Sequence, residues 1–83
     1  MRKSIHSREG KALVRLLAEL RRNAGFTQEE LAKRLKMPQS FVSKYEAGER
    51  RVDLVELRRI ALILGVSLPE LVNQFEKILN ETK

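Results

Sequence analysis

Two short helical stretches with a proline between them constrain this chain more than any other feature. They occupy Thr27 to Gly48, T-Q-E-E-L-A-K-R-L-K-M-P-Q-S-F-V-S-K-Y-E-A-G. Thr27 is placed to cap the first stretch, and Glu30, three residues on, completes a capping box. Phe26 and Leu31 hold the two staple positions around that box. Pro38 disfavours a helical Met37 and has no N–H to donate, so the first helix should stop at Lys36-Met37. A second helix follows from about Gln39 to Ala47, with Gly48 as a ready C′ residue.

The second helix has two unlike faces. At about 100° per residue, Gln39, Ser40, Ser43, Lys44 and Ala47 fall within roughly 140° of one another. Phe41, Val42 and Tyr45 fall on the opposite side. An amide and hydroxyls are the groups that read base edges, because Gln pairs with adenine N6 and N7 and Ser bonds to several bases. An ordinary amphipathic surface helix has the same pattern, so the face alone leaves both readings open.

The flanking segments read as three more helices. The first runs from near Ser7 to about Ala24, with Leu13, Leu16, Leu17, Leu20 and Ala24 on one buried face and Gly25 as its stop. Asp53 with Glu56, inside the Val52/Leu57 pair, starts a helix that ends near Leu64. Its stripe is Leu54, Leu57, Ile60, Ala61 and Leu64, and Val55 and Leu62 form a second stripe on another face. Ser67 with Glu70, inside Val66/Leu71, starts the last helix, where Leu68, Leu71, Val72, Phe75, Ile78 and Leu79 share one arc. The expected architecture is all-α with five helices, after a flexible basic arm over residues 1–6.

Charge separates the two halves. Residues 1–51 carry 13 Lys/Arg against 6 Asp/Glu, whereas residues 52–83 carry 4 against 5. The basic half contains the two-helix unit, which suits a polyanionic partner on that side and equally a merely solvated surface, while a membrane-surface helix is disfavoured because the second helix of the unit has no large apolar face left once its core side is packed. Hydrophobic residues at 42% and charged residues at 34% suit a compact helical domain rather than a disordered chain. No apolar run approaches the roughly 18 residues of a membrane span. With no cysteine and a single histidine, His6, neither a thiolate metal site nor a catalytic triad is expected. The reading is therefore of a cytoplasmic protein that is not an enzyme and needs no cofactor or metal.

Residues 13–75 resemble the helix-turn-helix domain of the lambdoid phage Cro and repressor proteins, the XRE family. The resemblance is carried by L-R-R-N-A-G-F-T-Q-E-E-L-A-K-R-L and by P-Q-S-F-V-S-K-Y-E-A-G-E-R-R. It implies a five-helix, lambda-repressor-like domain over residues 7–83, with the helix-turn-helix at helices two and three. It also implies a transcriptional regulator, expected to be a repressor, bound to double-stranded DNA. Gln39 and Ser40 would then read bases, while Ser43 and Lys44 would touch either bases or phosphates. Gln28, opening the second helix, would reach a phosphate, only cap its helix, or brace Gln39. Arg50 and Arg51, in the next turn, would contact phosphates. Phe41 would pack beside Tyr45 or touch a thymine methyl. Arg21 would form an ion pair with Glu46 that fixes the third helix to the first. Two residues depart from the family pattern. Lys36 stands where glycine is frequent, which strains or reshapes the turn, and Pro38 stands where Ser or Thr often caps the reading helix.

A domain this small gains affinity by pairing, so a homodimer on a near-palindromic operator is expected. Val55, Leu62, Phe75, Ile78 and Leu79 are the residues left to cover, by a twin subunit or by the last helix folding back on its own domain. No small-molecule effector is implied. The competing reading is an antitoxin-like or complex-bound module that holds a protein partner through the last helix.

Overall fold

The computed structural model describes residues 7–81, so the arm expected over residues 1–6 lies outside the described residues. Five helices follow in order: α1 Arg8–Asn23, α2 Gln28–Leu35, α3 Gln39–Glu46, α4 Leu54–Ile63 and α5 Leu68–Glu81. No strand occurs among the described residues.

Local chemistry sets where the helices begin. Thr27 Oγ1 accepts from the Glu30 N–H at 3.0 Å while Glu30 Oε1 accepts from the Thr27 N–H at 2.9 Å. Asp53 and Glu56 make the same reciprocal pair at 2.7 and 3.0 Å, and Ser67 and Glu70 at 3.2 and 3.3 Å. Each box satisfies two N–H groups that a helix start would otherwise leave orphaned. Ser7 caps α1 more simply, accepting from the Gly10 N–H at 3.0 Å.

The helix ends are equally regular. After α1, α3 and α4 a glycine takes a positive φ, at Gly25, Gly48 and Gly65. After α2 that place belongs to Lys36, at φ 60° and ψ 42°. The turn therefore keeps its shape and carries the strain in Lys36.

Packing gathers the apolar stripes into one core. α2 packs on α3 and α4, α1 on α3 and α5, and α4 on α5. Leu31, Val42, Ile60 and Ala61 are completely covered, with Leu17, Ala32, Tyr45 and Leu71 nearly so. Leu54 departs from the expected stripe. It begins α4 and overhangs the core, remaining 67% exposed.

Candidate nucleic-acid interface

The reading helix is placed by its apolar side. Phe41, Val42 and Tyr45 are buried, and the Phe41 and Tyr45 rings meet edge to face with centroids 5.3 Å apart. Phe41 therefore packs in the core and presents no surface for a thymine methyl. Ala32, only 1% exposed, lies on the α2 side of that core. Pro38 occupies the N-cap without a side-chain bond, and the Phe41 N–H turns back to the Pro38 carbonyl at 3.0 Å. The Tyr45 hydroxyl is buried with no partner among the described residues, and the loss of hydration pushes its pKa up.

The opposite side of α3 faces solvent. Gln39, Ser40, Lys44 and Ala47 are exposed, and the Gln39 amide makes no bond within the protein among the described residues. Ser43 differs. It is half-buried and its hydroxyl donates to the Ser40 carbonyl at 3.3 Å.

A partly buried polar cluster fastens the other end of this helix. Arg21 Nε donates to Glu46 Oε2 at 2.7 Å, and Arg21 Nη2 donates to Glu46 Oε1 at 3.1 Å. Arg21 Nη1 donates to the Phe26 carbonyl at 2.8 Å. Gln28 Nε2 adds a third donor to the carboxylate, reaching Glu46 Oε1 at 2.9 Å. The amide of Gln28 thus serves Glu46 and does not brace Gln39. The Arg21 and Glu46 side chains keep only 12% and 7% of their surface exposed. The hydrogen bond to Glu46 raises the Arg21 pKa, with burial opposing it. Desolvation offsets much of the attraction in such a pair, so its main effect is orientation. α1, α2 and the last residue of α3 are locked together there, while Gln39 stays free at the other end.

The two arginines after the reading helix behave differently. Arg51 is exposed, and its guanidinium has no partner among the described residues. Arg50 is held: Nη1 and Nη2 each meet a Glu56 carboxylate oxygen at 3.1 Å, and Nη1 also donates to the Arg51 carbonyl at 2.7 Å. Its guanidinium carbon sits 4.7 Å from the centre of the Phe41 ring. Sequence reasoning treated the pair as equivalent because adjacency says nothing of which carboxylate lies opposite. It also missed Arg59, whose Nη2 donates to the Leu35 carbonyl at 3.1 Å and ties α4 to the end of α2. A lone cation in a helix gives no signal of such a bond.

The expected contact face divides in two. Val55 and Leu62 are 68% and 52% exposed, joined by Leu54 and by Val72 at 40%. Phe75 and Ile78 are half-buried and pack on the chain's own core, and Leu79 is half-buried as well. α5 lies back over α1, where the Arg8 guanidinium donates to the Leu79 carbonyl at 3.1 Å. Among the described residues no cluster of three His, Asp or Glu could hold a metal, and no helix is long and apolar enough to cross a membrane.

Known proteins share this fold. Residues 17–71 match the family model described as helix-turn-helix. The uncharacterized HTH-type transcriptional regulator y4dJ of Sinorhizobium fredii is 44% identical over 55 residues, covering 66% of this chain and 71% of that one. The control protein C.MunI of a Mycoplasma species is 34% identical over 73 residues, covering 88% and 95%. Among solved structures, an XRE-family-like protein from Pseudomonas syringae pv. tomato superposes with a TM-score of 0.81 at 44% identity, over 90% of this chain and 92% of that one. With its capped helices, its αL turn at Lys36 and its exposed polar face on α3, the chain belongs to the XRE-type helix-turn-helix family.

Proposed function

We propose that this protein is a cytoplasmic, sequence-specific, DNA-binding transcriptional regulator, acting as a homodimer on a near-palindromic operator, with repression as its mode. It acts by binding and not by catalysis. The observation that carries this reading is the division of α3. Phe41, Val42 and Tyr45 are buried while Gln39, Ser40 and Lys44 face outward with no competing partner. Gln39 reads a base through its amide, Ser40 reads beside it, and Lys44 serves a base or a phosphate one turn on. Ser43 contributes less, since its hydroxyl is already engaged. Gln28 supports the interface through Glu46, and the N-terminus of α2 beside it offers N–H groups and a positive dipole end to a phosphate. The relatives named a transcriptional regulator and a control protein support the same role.

Pairing is supported by the exposed apolar side chains of α4 and α5, namely Leu54, Val55, Leu62 and Val72. The subunit measures 35 × 25 × 20 Å. Two such bodies joined by a two-fold axis fit the roughly 34 Å between successive major grooves. The test is selection of bound sequences from a random pool, followed by retardation of the selected DNA. Gln39→Ala should lower the preference for selected over random DNA by about 1–3 kcal/mol per site, while non-specific binding survives. Unchanged preference removes Gln39 as the reader. Failure to retard any DNA at low salt favours the partner-binding module instead.

A further inference from the structure

We infer that Arg50 is a positioning residue rather than a phosphate ligand: with Glu56 it clamps the turn that leaves the reading helix and so directs Arg51 at the DNA backbone. The inference rests on the DNA-binding reading above.

Three of the five N–H groups of the Arg50 guanidinium are already engaged, two by Glu56 and one by the Arg51 carbonyl. Its guanidinium carbon lies over the Phe41 ring, which in turn meets Tyr45 edge to face. Glu56 is equally occupied. Beyond Arg50 it accepts from the Asp53 N–H at 3.0 Å, and its own N–H donates to Asp53 Oδ1 at 2.7 Å. One ion pair therefore joins three things: an aromatic of the reading helix, the peptide of Arg51, and the capped start of α4.

A phosphate met only by the two remaining N–H groups would lie beside the Glu56 carboxylate, and moving the guanidinium fully onto it would break the bidentate pair. That move would also leave the Glu56 carboxylate uncompensated beside a polyanion. Keeping the pair neutralises that carboxylate and fixes the Arg51 carbonyl, hence the direction in which the Arg51 side chain leaves the turn. Arg50 and Glu56 retain 41% and 21% side-chain exposure, and exposed ion pairs add little to stability. Orientation is the effect left to them.

Arg50→Lys and Glu56→Gln separate the two roles. Lysine binds phosphate as a point charge but cannot make the fork or lie flat on a ring. Positioning predicts that each variant lowers affinity for selected DNA by about tenfold, with the salt slope unchanged, and that the double variant is no weaker than the weaker single one. Arg51→Ala, in contrast, should lower the salt slope by about one. Wild-type affinity in Arg50→Lys would overturn the inference. So would tighter binding by Glu56→Gln, because that is how a phosphate-seeking arginine released from its carboxylate behaves. Hydrogen exchange in the DNA-free protein gives an independent arm. Amides from Gly48 to Leu57 should exchange faster in both variants, and unchanged exchange would overturn the clamp. If the wild-type protein retards no DNA, the regulator reading fails, and the exchange result still decides whether the clamp exists.

Discussion

Replacing Lys36 tests the turn between the two central helices most directly. Lys36 is the one non-glycine residue with positive φ among the described residues, at 60°. Its N–H bonds to the Lys33 carbonyl at 3.1 Å and the next N–H, of Met37, to the Ala32 carbonyl at 3.0 Å. Gly25, Gly48 and Gly65 make the same pair of bonds after α1, α3 and α4, so the protein contains three unstrained copies of the turn. A left-handed L-residue costs about 1–2 kcal/mol. Glycine offsets about 0.5–1 kcal/mol of that gain through its freer unfolded chain. The Lys36 side chain is exposed and makes no bond among the described residues, so little else is lost except its charge near a helix C-terminus. Lys36→Ala removes the same charge and keeps the strain. Lys36→Gly should therefore exceed Lys36→Ala by about 0.5–1 kcal/mol, or roughly 2–8 °C in melting temperature for a domain of this size. Paired thermal melts by circular dichroism measure this difference. Coincident melts, or a higher melt for alanine, would refute the reasoning, because they would mean that the turn relaxes out of the left-handed region without glycine.

Glu46→Ala leaves the partly buried Arg21 and Gln28 without their shared acceptor and should destabilise by about 1–3 kcal/mol in urea unfolding; a loss below about 0.5 kcal/mol would show the cluster to be idle. Acid should act through Glu56, whose carboxyl is held below its ordinary 4.5 first by the Arg50 hydrogen bond and then by the Asp53 N–H. The sign follows: a depressed folded pKa gives stability that is complete above 4.5 and is lost as pH falls through the lower folded value, so Glu56→Gln should flatten the acid limb of the melting curve against pH. Parallel acid limbs would contradict this. Leu62→Glu places a charge on the exposed face of α4 and should shift a micromolar sample from dimer to monomer in sedimentation, weakening operator binding with little change in monomer stability; an undisturbed dimer would move the interface elsewhere.

Much of the fold was legible because its signals are local. A capping box needs residues three apart, and Thr27/Glu30, Asp53/Glu56 and Ser67/Glu70 each make theirs. The stripe on α3 was legible because periodicity alone decides which side of a helix is apolar. Periodicity does not say what covers a stripe. The arc through Phe75 and Ile78 was readable, but that α1 and the chain's own core cover part of it depends on how α5 turns after Gly65. Leu54 fits the projection of α4 and still lies exposed, since the first residue of a helix can extend past the surface that its later turns bury. The partner of Arg50 was the least legible, because Glu56 lies six residues away across a turn whose path the sequence leaves open.

The two ends of the reading helix are held by different means. At its C-terminal end Glu46 accepts three hydrogen bonds from α1 and α2, and the Arg50 fork adds a hold on the turn that follows. At its N-terminal end Pro38 supplies no side-chain cap, and the left-handed Lys36 is two residues upstream. Eight residues are too few for a helix to persist unaided, so α3 depends on these attachments and on its buried face. Gln39 and Ser40 sit at the end that lacks a side-chain cap. Their side chains make no bond among the described residues, and the Ser40 backbone carbonyl accepts from the Ser43 hydroxyl. The C-terminal end of α3 is thus held by polar side chains from outside the helix, whereas its N-terminal end rests on the buried Phe41 and Val42 and on the bond from the Phe41 N–H to the Pro38 carbonyl.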